Sequence, residues 1–564
     1  MAWAPLVIVL AGLAAYANSF AGPFLFDDER AIVQNVSIRS LSTALSPPVQ
    51  NPLAGRPLVN LSFAVNYALG GLDVRGYHVV NVTVHLLAAL LLYGVLRRTL
   101  ASGGDSRLAL FCTLAWTVHP LNTEVVDYLT QRTESMMGLF VLAALYAAIR
   151  ALESSRALRW EMAAGLAALA GVAAKETAVT IPVIVLLWDR AFAYPSFREA
   201  WTARRRLYGM VAACWLLFAL LALDTPFFSS TGFQQHVSRW AYLLDQGPII
   251  AKYLGLAFWP RALVFDYGMA PVVTLSQVWP GVAVVAALFA LAAVAFVRRP
   301  AYGFWGAWFF VTLAPASSII PIPTEVGAER RMYLPLVAVI VVVAMLAASL
   351  LRRIPVDLLR ARVAWVLASA AVLGLAAATV ARNADYRDGV AIWQTVLDRR
   401  PHSRAHEHIS MYLRDAGRVD EAIAHLRLAA PEAPNARHAL ASALLERGDV
   451  KGSIAEFKTF IRENPADPEI VSAHKEFGAA LIRDGDPDGA IAEYREVLSR
   501  QPVDLDARHR VLLLLLERKR FVEAEVEGKT LVGQSPNDAE AHNLLGVAIA
   551  SQSEARLAEA ARHF

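Results

Sequence analysis

The sequence predicts an all-α protein: a polytopic helical membrane bundle followed by a helical-repeat solenoid. Three observations predict it. Residues 1–381 carry apolar stretches separated by short polar loops, whereas residues 382–564 are rich in Glu, Arg, Asp and Ala and hold no span. The chain is 56% apolar and 18% charged, against roughly 25% charged in soluble domains. The tail also repeats with a period near 34 residues. The expected division is a membrane domain at 1–381, a linker at 382–402 and a repeat domain of about 4.5 units at 403–564.

Eleven spans are expected, with apolar cores at 3–20, 77–96, 107–119, 134–150, 160–174, 177–190, 207–223, 278–297, 303–319, 333–351 and 363–381. About 20 residues cross the hydrocarbon, so the shorter cores need tilt, snorkelling or a broken helix. Residues 57–70 and 246–260 read as helices lying along the surface or dipping into it. Residues Ala15-Tyr16-Ala17 resemble a signal-peptidase site, but no Lys or Arg precedes them, which favours an uncleaved first span.

Basic residues orient the bundle. Arg97-Arg98, Arg150/Arg156/Arg159, Arg204-Arg205-Arg206, Arg298-Arg299 and Arg352-Arg353 fall in alternate loops, which are cytoplasmic by the positive-inside rule. The first loop and the loops around His119, Lys175, His236 and Arg330 are then outside, and with eleven spans so is the tail; an even count would put the tail in the cytoplasm, and 246–260 is the segment that could change it. The expected location is a bacterial inner membrane with periplasmic repeats, or an endoplasmic reticulum membrane with lumenal repeats in a eukaryote. The net charge of +4 makes no case for nucleic acid. Both cysteines, Cys112 and Cys214, lie in apolar runs, so no disulfide staple is expected.

In the tail, Pro434, Pro465, Pro502 and Pro536 recur at spacings of 31, 37 and 34. Ala422, Ser453, Ala490, Ala524 and Ala558 mark a second register, and Gly417, Gly448 and Gly485 a third. Small residues at helix crossings and Pro at unit ends make the tetratricopeptide pattern. Four repeats are expected from about 403 and a fifth from Ala539, with Phe564 inside its second helix. Such stacks present a groove for peptides or protein surfaces; the bland alternative is a spacer.

The chemistry is expected at the outer boundary. Asp27 and Asp28 stand just after the first apolar segment, behind Phe24-Leu25-Phe26. Ionisable groups there are costly to desolvate, which makes them functional candidates; the alternative is a solvated pair that ends a helix. Arg56 follows, and His78, Asn81 and His85 share one helix face at i, i+3, i+7. His119 leads to Glu124, Asp127, Arg132 and Glu134; Lys175-Glu176 lies between two spans; Glu325, Glu329, Arg330, Arg331 and Tyr333 precede another. Carboxylates can serve as a general base toward a hydroxyl, and Arg or Lys can hold a phosphate leaving group. No Gly-rich phosphate cradle is present, so nucleotide hydrolysis is not expected. The histidines lack a close metal-ligand pattern, so no metal site and no cofactor is expected.

Taken in order, these motifs resemble a family. Phe26-Asp27-Asp28-Glu29 with Ala31-Ile32-Val33-Gln34-Asn35, Arg56-Pro57-Leu58, and Gly76-Tyr77-His78-Val79-Val80-Asn81 running to His85 are similar to the first outer loop of the transmembrane and tetratricopeptide-repeat O-mannosyltransferases. His119-Pro120-Leu121-Asn122-Thr123-Glu124, Arg132-Thr133-Glu134, Lys175-Glu176-Thr177 with Pro182 and Asp189, and Glu329-Arg330-Arg331-Met332-Tyr333-Leu334-Pro335 continue the match. The resemblance implies a C-type glycosyltransferase fold, with Asp27 and Asp28 as catalytic carboxylates and inverting transfer to a Ser/Thr hydroxyl. The donor it implies is a polyprenyl- or dolichyl-phosphate sugar, which is a substrate and not a cofactor. It makes Arg132, Lys175, Arg330 and Arg331 donor-phosphate candidates. Arg56, His78, His85, His119, Glu124, Glu176 and Tyr333 are further binding candidates. The implied partners are the lipid-linked sugar, membrane lipid and an acceptor protein on the repeats, with no nucleic acid. Competing readings are a transporter or flippase, although two related halves are not visible, and a membrane-anchored repeat scaffold.

Overall fold

The structure is a computed structural model that describes residues 2–100, 106–224, 239–269, 271, 273–317, 322 and 325–563. The expected loop around His236 lies outside the described residues, as do the last residues of the expected core 303–319. Every regular element among the described residues is helical. The chain divides into two compact units, Met1–Arg400 and Pro401–Phe564.

The first unit contains α1 (Ala4–Ala15), α2 (Pro57–Gly70), α3 (Val74–Leu100), α4 (Arg107–Thr117), α5 (Thr123–Asp127), α6 (Arg132–Glu153), α7 (Ala157–Ala174) and α8 (Ile181–Trp188). It continues with α9 (Phe197–Asp224), α10 (Arg239–Phe258), α11 (Leu275–Arg298), α12 (Pro300–Leu313), α13 (Pro335–Leu351), α14 (Asp357–Asp385) and α15 (Gly389–Arg399). Six helical stretches are long and apolar enough to cross a membrane: Val74–Leu100, Leu129–Glu153, Ala157–Ala174, Phe197–Leu223, Leu275–Arg298 and Asp357–Asp385. The unit is that of an integral membrane protein.

Five expected spans are shorter in the structure. At about 1.5 Å per residue, the 12 residues of α1 reach well short of the roughly 30 Å hydrocarbon. Helices α4, α12 and α13 have 11, 14 and 17 residues. Expected span 177–190 is broken into a 3₁₀ turn (Glu176–Thr180), α8 and a π turn (Asp189–Ala193). The two expected surface helices form as α2 and α10. The second is not a loose surface element: it buries Tyr242, Asp245, Gln246, Ile249, Ile250 and Tyr253, and carries Pro248 inside. Helix α10 crosses α11 closely, because Gly247 and Gly281 leave no Cβ between the backbones. An added Cβ would stand 2.7 Å from Val282 N and 2.5 Å from Pro248 N respectively.

Residues 382–400, expected within a linker, are instead the last turn of α14 followed by α15. Asp388 caps α15 by accepting from Val390 N, and Ile392, Trp393 and Val396 are buried on one face. That apolar face at i, i+1, i+4 anchors the segment in the first unit.

The second unit pairs α16 (Ser403–Asp415) with α17 (Val419–Ala429), α18 (Pro434–Arg447) with α19 (Val450–Glu463), and α20 (Ile470–Asp484) with α21 (Pro487–Arg500). The pairs α22 (Leu505–Glu517) with α23 (Phe521–Gln534) and α24 (Ala539–Ala550) with α25 (Leu557–Ala560) complete it. Ala422, Ser453, Ala490 and Ala524 are fully buried at the crossings, as their register requires. Ala558 is exposed and Ala560 takes its place, because a 3₁₀ turn (Glu554–Arg556) lengthens the last connection. Gly448 and Gly485 end α18 and α20 in the left-handed conformation, at φ of 94° and 82°.

Candidate functional site

The acid pair follows a bent segment. After α1 the chain runs through a 3₁₀ turn (Ser19–Ala21) to Phe26, a non-glycine residue at φ 48°. Such a conformation persists only where the surroundings hold it. Here the Phe26 ring is boxed by Trp393, Phe265 and Tyr128, with centroids at 5.6, 6.3 and 6.5 Å. The consequence is that the two adjacent carboxylates enter different surroundings.

Asp28 is fully buried. Its Oδ1 accepts from Thr130 N at 2.7 Å and Thr130 Oγ1 at 2.5 Å, and its Oδ2 accepts from Leu25 N at 3.0 Å. Burial pushes this carboxyl up to about 7 against the opposing pull of those bonds. Asp27 is half-buried. Its N–H donates to Tyr128 OH at 3.0 Å, and the Tyr128 hydroxyl is bonded to its carboxylate. Burial raises its proton affinity, and the hydroxyl and the Arg330 charge counter that rise.

Arg330 belongs to a 3₁₀ turn, Glu329–Met332, that sends three consecutive charges in different directions. The Arg330 guanidinium pairs with both Glu124 and Glu325, and its backbone N donates to Glu124 Oε2 at 2.9 Å. Arg331 donates to the Glu325 carbonyl at 2.8 Å and lies against Tyr242 and Ser317. Glu329 turns away and accepts from Val264 N at 2.6 Å and Tyr267 OH at 3.2 Å; burial pushes its carboxyl up to about 8. Glu124, Glu325, Arg330 and Arg331 thus form one connected charged patch, and the Arg330 charge acts on Asp27, which Tyr128 holds beside the aromatic box.

The other expected residues lie apart from this patch. Arg132 is fully buried, and neutral acceptors occupy its donors. Nε donates to Asn81 Oδ1 at 2.7 Å, Nη1 to Asn66 Oδ1 at 2.7 Å and Ser62 Oγ at 3.2 Å, and Nη2 to Tyr77 O at 3.0 Å. The group ties α2, α3 and α6 together, so a donor phosphate would have to displace these bonds. His85 bridges Tyr333 OH at 2.9 Å and Thr117 O at 3.0 Å, and stacks on Trp116. His78 reaches Gly22 O at 3.1 Å, and His119 reaches Ala257 O at 3.1 Å. These histidines and Tyr333 are packing ties between elements.

Arg56 holds Glu176 through two bonds of 3.2 and 3.3 Å, and Lys175 pairs with Glu134. The Arg56 and Lys175 charges outweigh burial and hold the Glu176 carboxyl below its usual range. This second charged string is partly accessible at Arg56 and Glu176. Among the described residues, no three or more His, Cys, Asp or Glu side chains are disposed to hold a metal ion.

Two organising residues escaped sequence reasoning. Tyr128 and Thr130 fix Asp27 and Asp28 across about a hundred residues of chain. Neither is charged, and each looks like ordinary filling between α5 and α6. The segment from Glu124 to Arg132 therefore carries the partners of Arg330, Asp27, Asp28 and Asn81 on one short stretch.

The chain also matches known proteins. One tetratricopeptide repeat model matches residues 375–437 and 438–504, and a second such model matches 481–547. Protein O-mannosyl-transferase Tmtc1 of Drosophila melanogaster is 30% identical over 316 residues, covering 48% of this chain and 36% of that protein. Protein O-mannosyl-transferase F38B6.6 of Caenorhabditis elegans is 24% identical over 442 residues, covering 74% of this chain and 61% of that protein. Protein O-mannosyl-transferase TMTC2 of Homo sapiens is 31% identical over 202 residues, covering 33% of this chain and 24% of that protein. These relatives are of the family that the motifs resemble. The aligned segments span between about a quarter and three fifths of their lengths.

Proposed function

We propose that this chain is a membrane glycosyltransferase that moves a mannose-like sugar from a polyprenyl-phosphate carrier to a Ser or Thr hydroxyl of a protein. The observation that carries the reading is Asp27, a half-buried carboxylate bonded to Tyr128 and facing the Arg330 charge. Asp27 accepts the proton of the acceptor hydroxyl. The freed oxygen bonds to the anomeric carbon from the face opposite the phosphate, the bond from that carbon to the phosphate oxygen breaks, and the lipid phosphate leaves with the electron pair. Attack from the opposite face inverts the centre. Arg330, whose guanidinium is held by Glu124 and Glu325, stabilises the charge that grows on the phosphate as those pairings open to it. Asp28 touches no substrate in this scheme; it holds the loop through Thr130 and Leu25. The repeats would bind the acceptor polypeptide, and the site would face the periplasm, or the lumen in a eukaryote.

The test is transfer of radiolabelled mannose from polyprenyl-phosphate mannose to an acceptor protein by the purified full chain, with Asp27→Asn as control. Label appearing in protein with the wild type and lost in the variant supports the reading. Equal labelling by both would sink it.

A further inference from the structure

Behind the segment that carries Tyr128 and Thr130 lies a group of buried polar atoms without hydrogen-bond partners among the described residues. Both carboxylate oxygens of Asp127, the last residue of α5, belong to it. So do Nε and Nη2 of Arg382, the hydroxyls of Tyr16 and Ser19, and Oδ1 of Asn383. All five residues are at most 5% exposed. They come from the start of the chain, from α5 and from the last turn of α14, which are drawn together by Asn383 donating to Ala15 O at 2.9 Å and Thr379 donating to Val118 O at 2.8 Å. Asp127 feels the Ser19 hydroxyl and the Arg382 charge, yet no donor meets its oxygens in full hydrogen-bond geometry. Arg382 spends only Nη1, on Asp385 at 2.9 Å and Thr395 at 3.3 Å.

Two opposite charges buried without direct contact are costly, and water is the group that reconciles them. A site lined by a carboxylate, a guanidinium and two hydroxyls offers a water the two to four partners it needs. A cation would be opposed by the guanidinium and an anion by the carboxylate. We infer that ordered water joins Asp127 to Arg382 as a buried, water-bridged ion pair, which makes Asp127 a positioning residue for Tyr128 and, through it, for Asp27. The bridge anchors the organising segment to α14. The positioning role in catalysis rests on the reading proposed above; the bridge itself does not.

The first measurement is a high-resolution density map of the wild-type full chain in lipid nanodiscs. Density for water within hydrogen-bond distance of both Asp127 and Arg382 is expected. A direct salt bridge, or a space without ordered density, would overturn the inference. The second is amide hydrogen exchange at Tyr128 and Thr130. Arg382→Gln should speed exchange about tenfold or more, since it leaves the Asp127 charge uncompensated, and Asp127→Asn should speed it less, since Arg382 keeps Asp385; the double variant should come back toward wild type. Unchanged exchange in both single variants would also overturn it. With a transfer assay, Asp127→Asn should lower kcat while donor KM holds, and adding Arg382→Gln should restore part of kcat. A variant with raised KM and unchanged kcat would remove the positioning role. If the water and exchange results stand but the wild-type chain transfers no sugar, it is the glycosyltransferase reading that fails.

Discussion

At the residue scale, the pair Asp27 and Asp28 was visible in the sequence as a single acidic feature, but its division of labour was not. That division depends on the left-handed turn at Phe26 and on Tyr128 and Thr130, which come from about a hundred residues away. It makes the two Asn substitutions unequal. Asp27→Asn should lower transfer by about 10²-fold or more, the scale of a positioned base, with little change in melting temperature. Asp28→Asn should lose stability as well, because an amide nitrogen placed against the N–H groups of Thr130 or Leu25 leaves a buried donor unpaired, at about 1–3 kcal/mol. Side-by-side melting and rate measurements decide this; equal melting losses in both variants would refute the division.

The same carboxyls set a pH dependence. Asp28 is pushed up to about 7 and Glu329 to about 8 by burial, from ordinary values near 4. A carboxyl with a raised folded pKa holds its proton more tightly in the fold than in the unfolded chain. Its contribution to stability is therefore full below pH about 4 and is lost as pH rises through 7 to 8. The melting temperature should fall between pH 5 and pH 8. Transfer should move the opposite way, rising over a limb displaced above the usual carboxylate range, because Asp27 must be ionised to act and burial raises its proton affinity. A melting temperature that climbs across this window would contradict the account.

At the element scale, long periodic features were legible and interrupted ones were not. The repeat registers and most of the long apolar helices stand where small-residue spacing and hydropathy put them. The short elements fall below their expected lengths because an apolar run does not say whether a 3₁₀ or π turn breaks it, as happens around α8. Close approach is likewise written only as isolated glycines. At Gly478 a Cβ would stand 2.9 Å from the Tyr494 ring. Gly478→Val should destabilise the repeat unit by about 1–3 kcal/mol, and Tyr494→Ala should make the added volume less costly. Denaturation of the isolated mutant and double-mutant chains reads this out; additive losses in the double variant would show that the two do not compete for the same space.

At the scale of the whole molecule, each unit has its own core, and the proposed division of tasks can be tested by separation. Deleting 401–564 should leave donor binding intact and reduce labelling of protein acceptors by the remaining chain, provided it inserts. Undiminished labelling of protein would rule out acceptor binding by the repeats. Orientation has its own check: reporters fused after Arg206 and after Arg404 should report opposite sides, and agreement between them would overturn the assignment of sides.

The organising segment has a consequence for how the protein is made. Glu124, Tyr128 and Thr130 wait for partners at opposite ends of the membrane unit: Asp27 and Asp28 are already synthesised, but Arg330 lies 206 residues further on. A nascent chain halted after α12 would hold the acid pair in place and still lack the guanidinium against which Glu124 is set. Half-made chains would therefore carry a Glu124 without its Arg330 partner. Ribosome arrest before residue 330, and far enough beyond it for Arg330 to have left the exit tunnel, would separate the two states by protease sensitivity of the 119–132 segment.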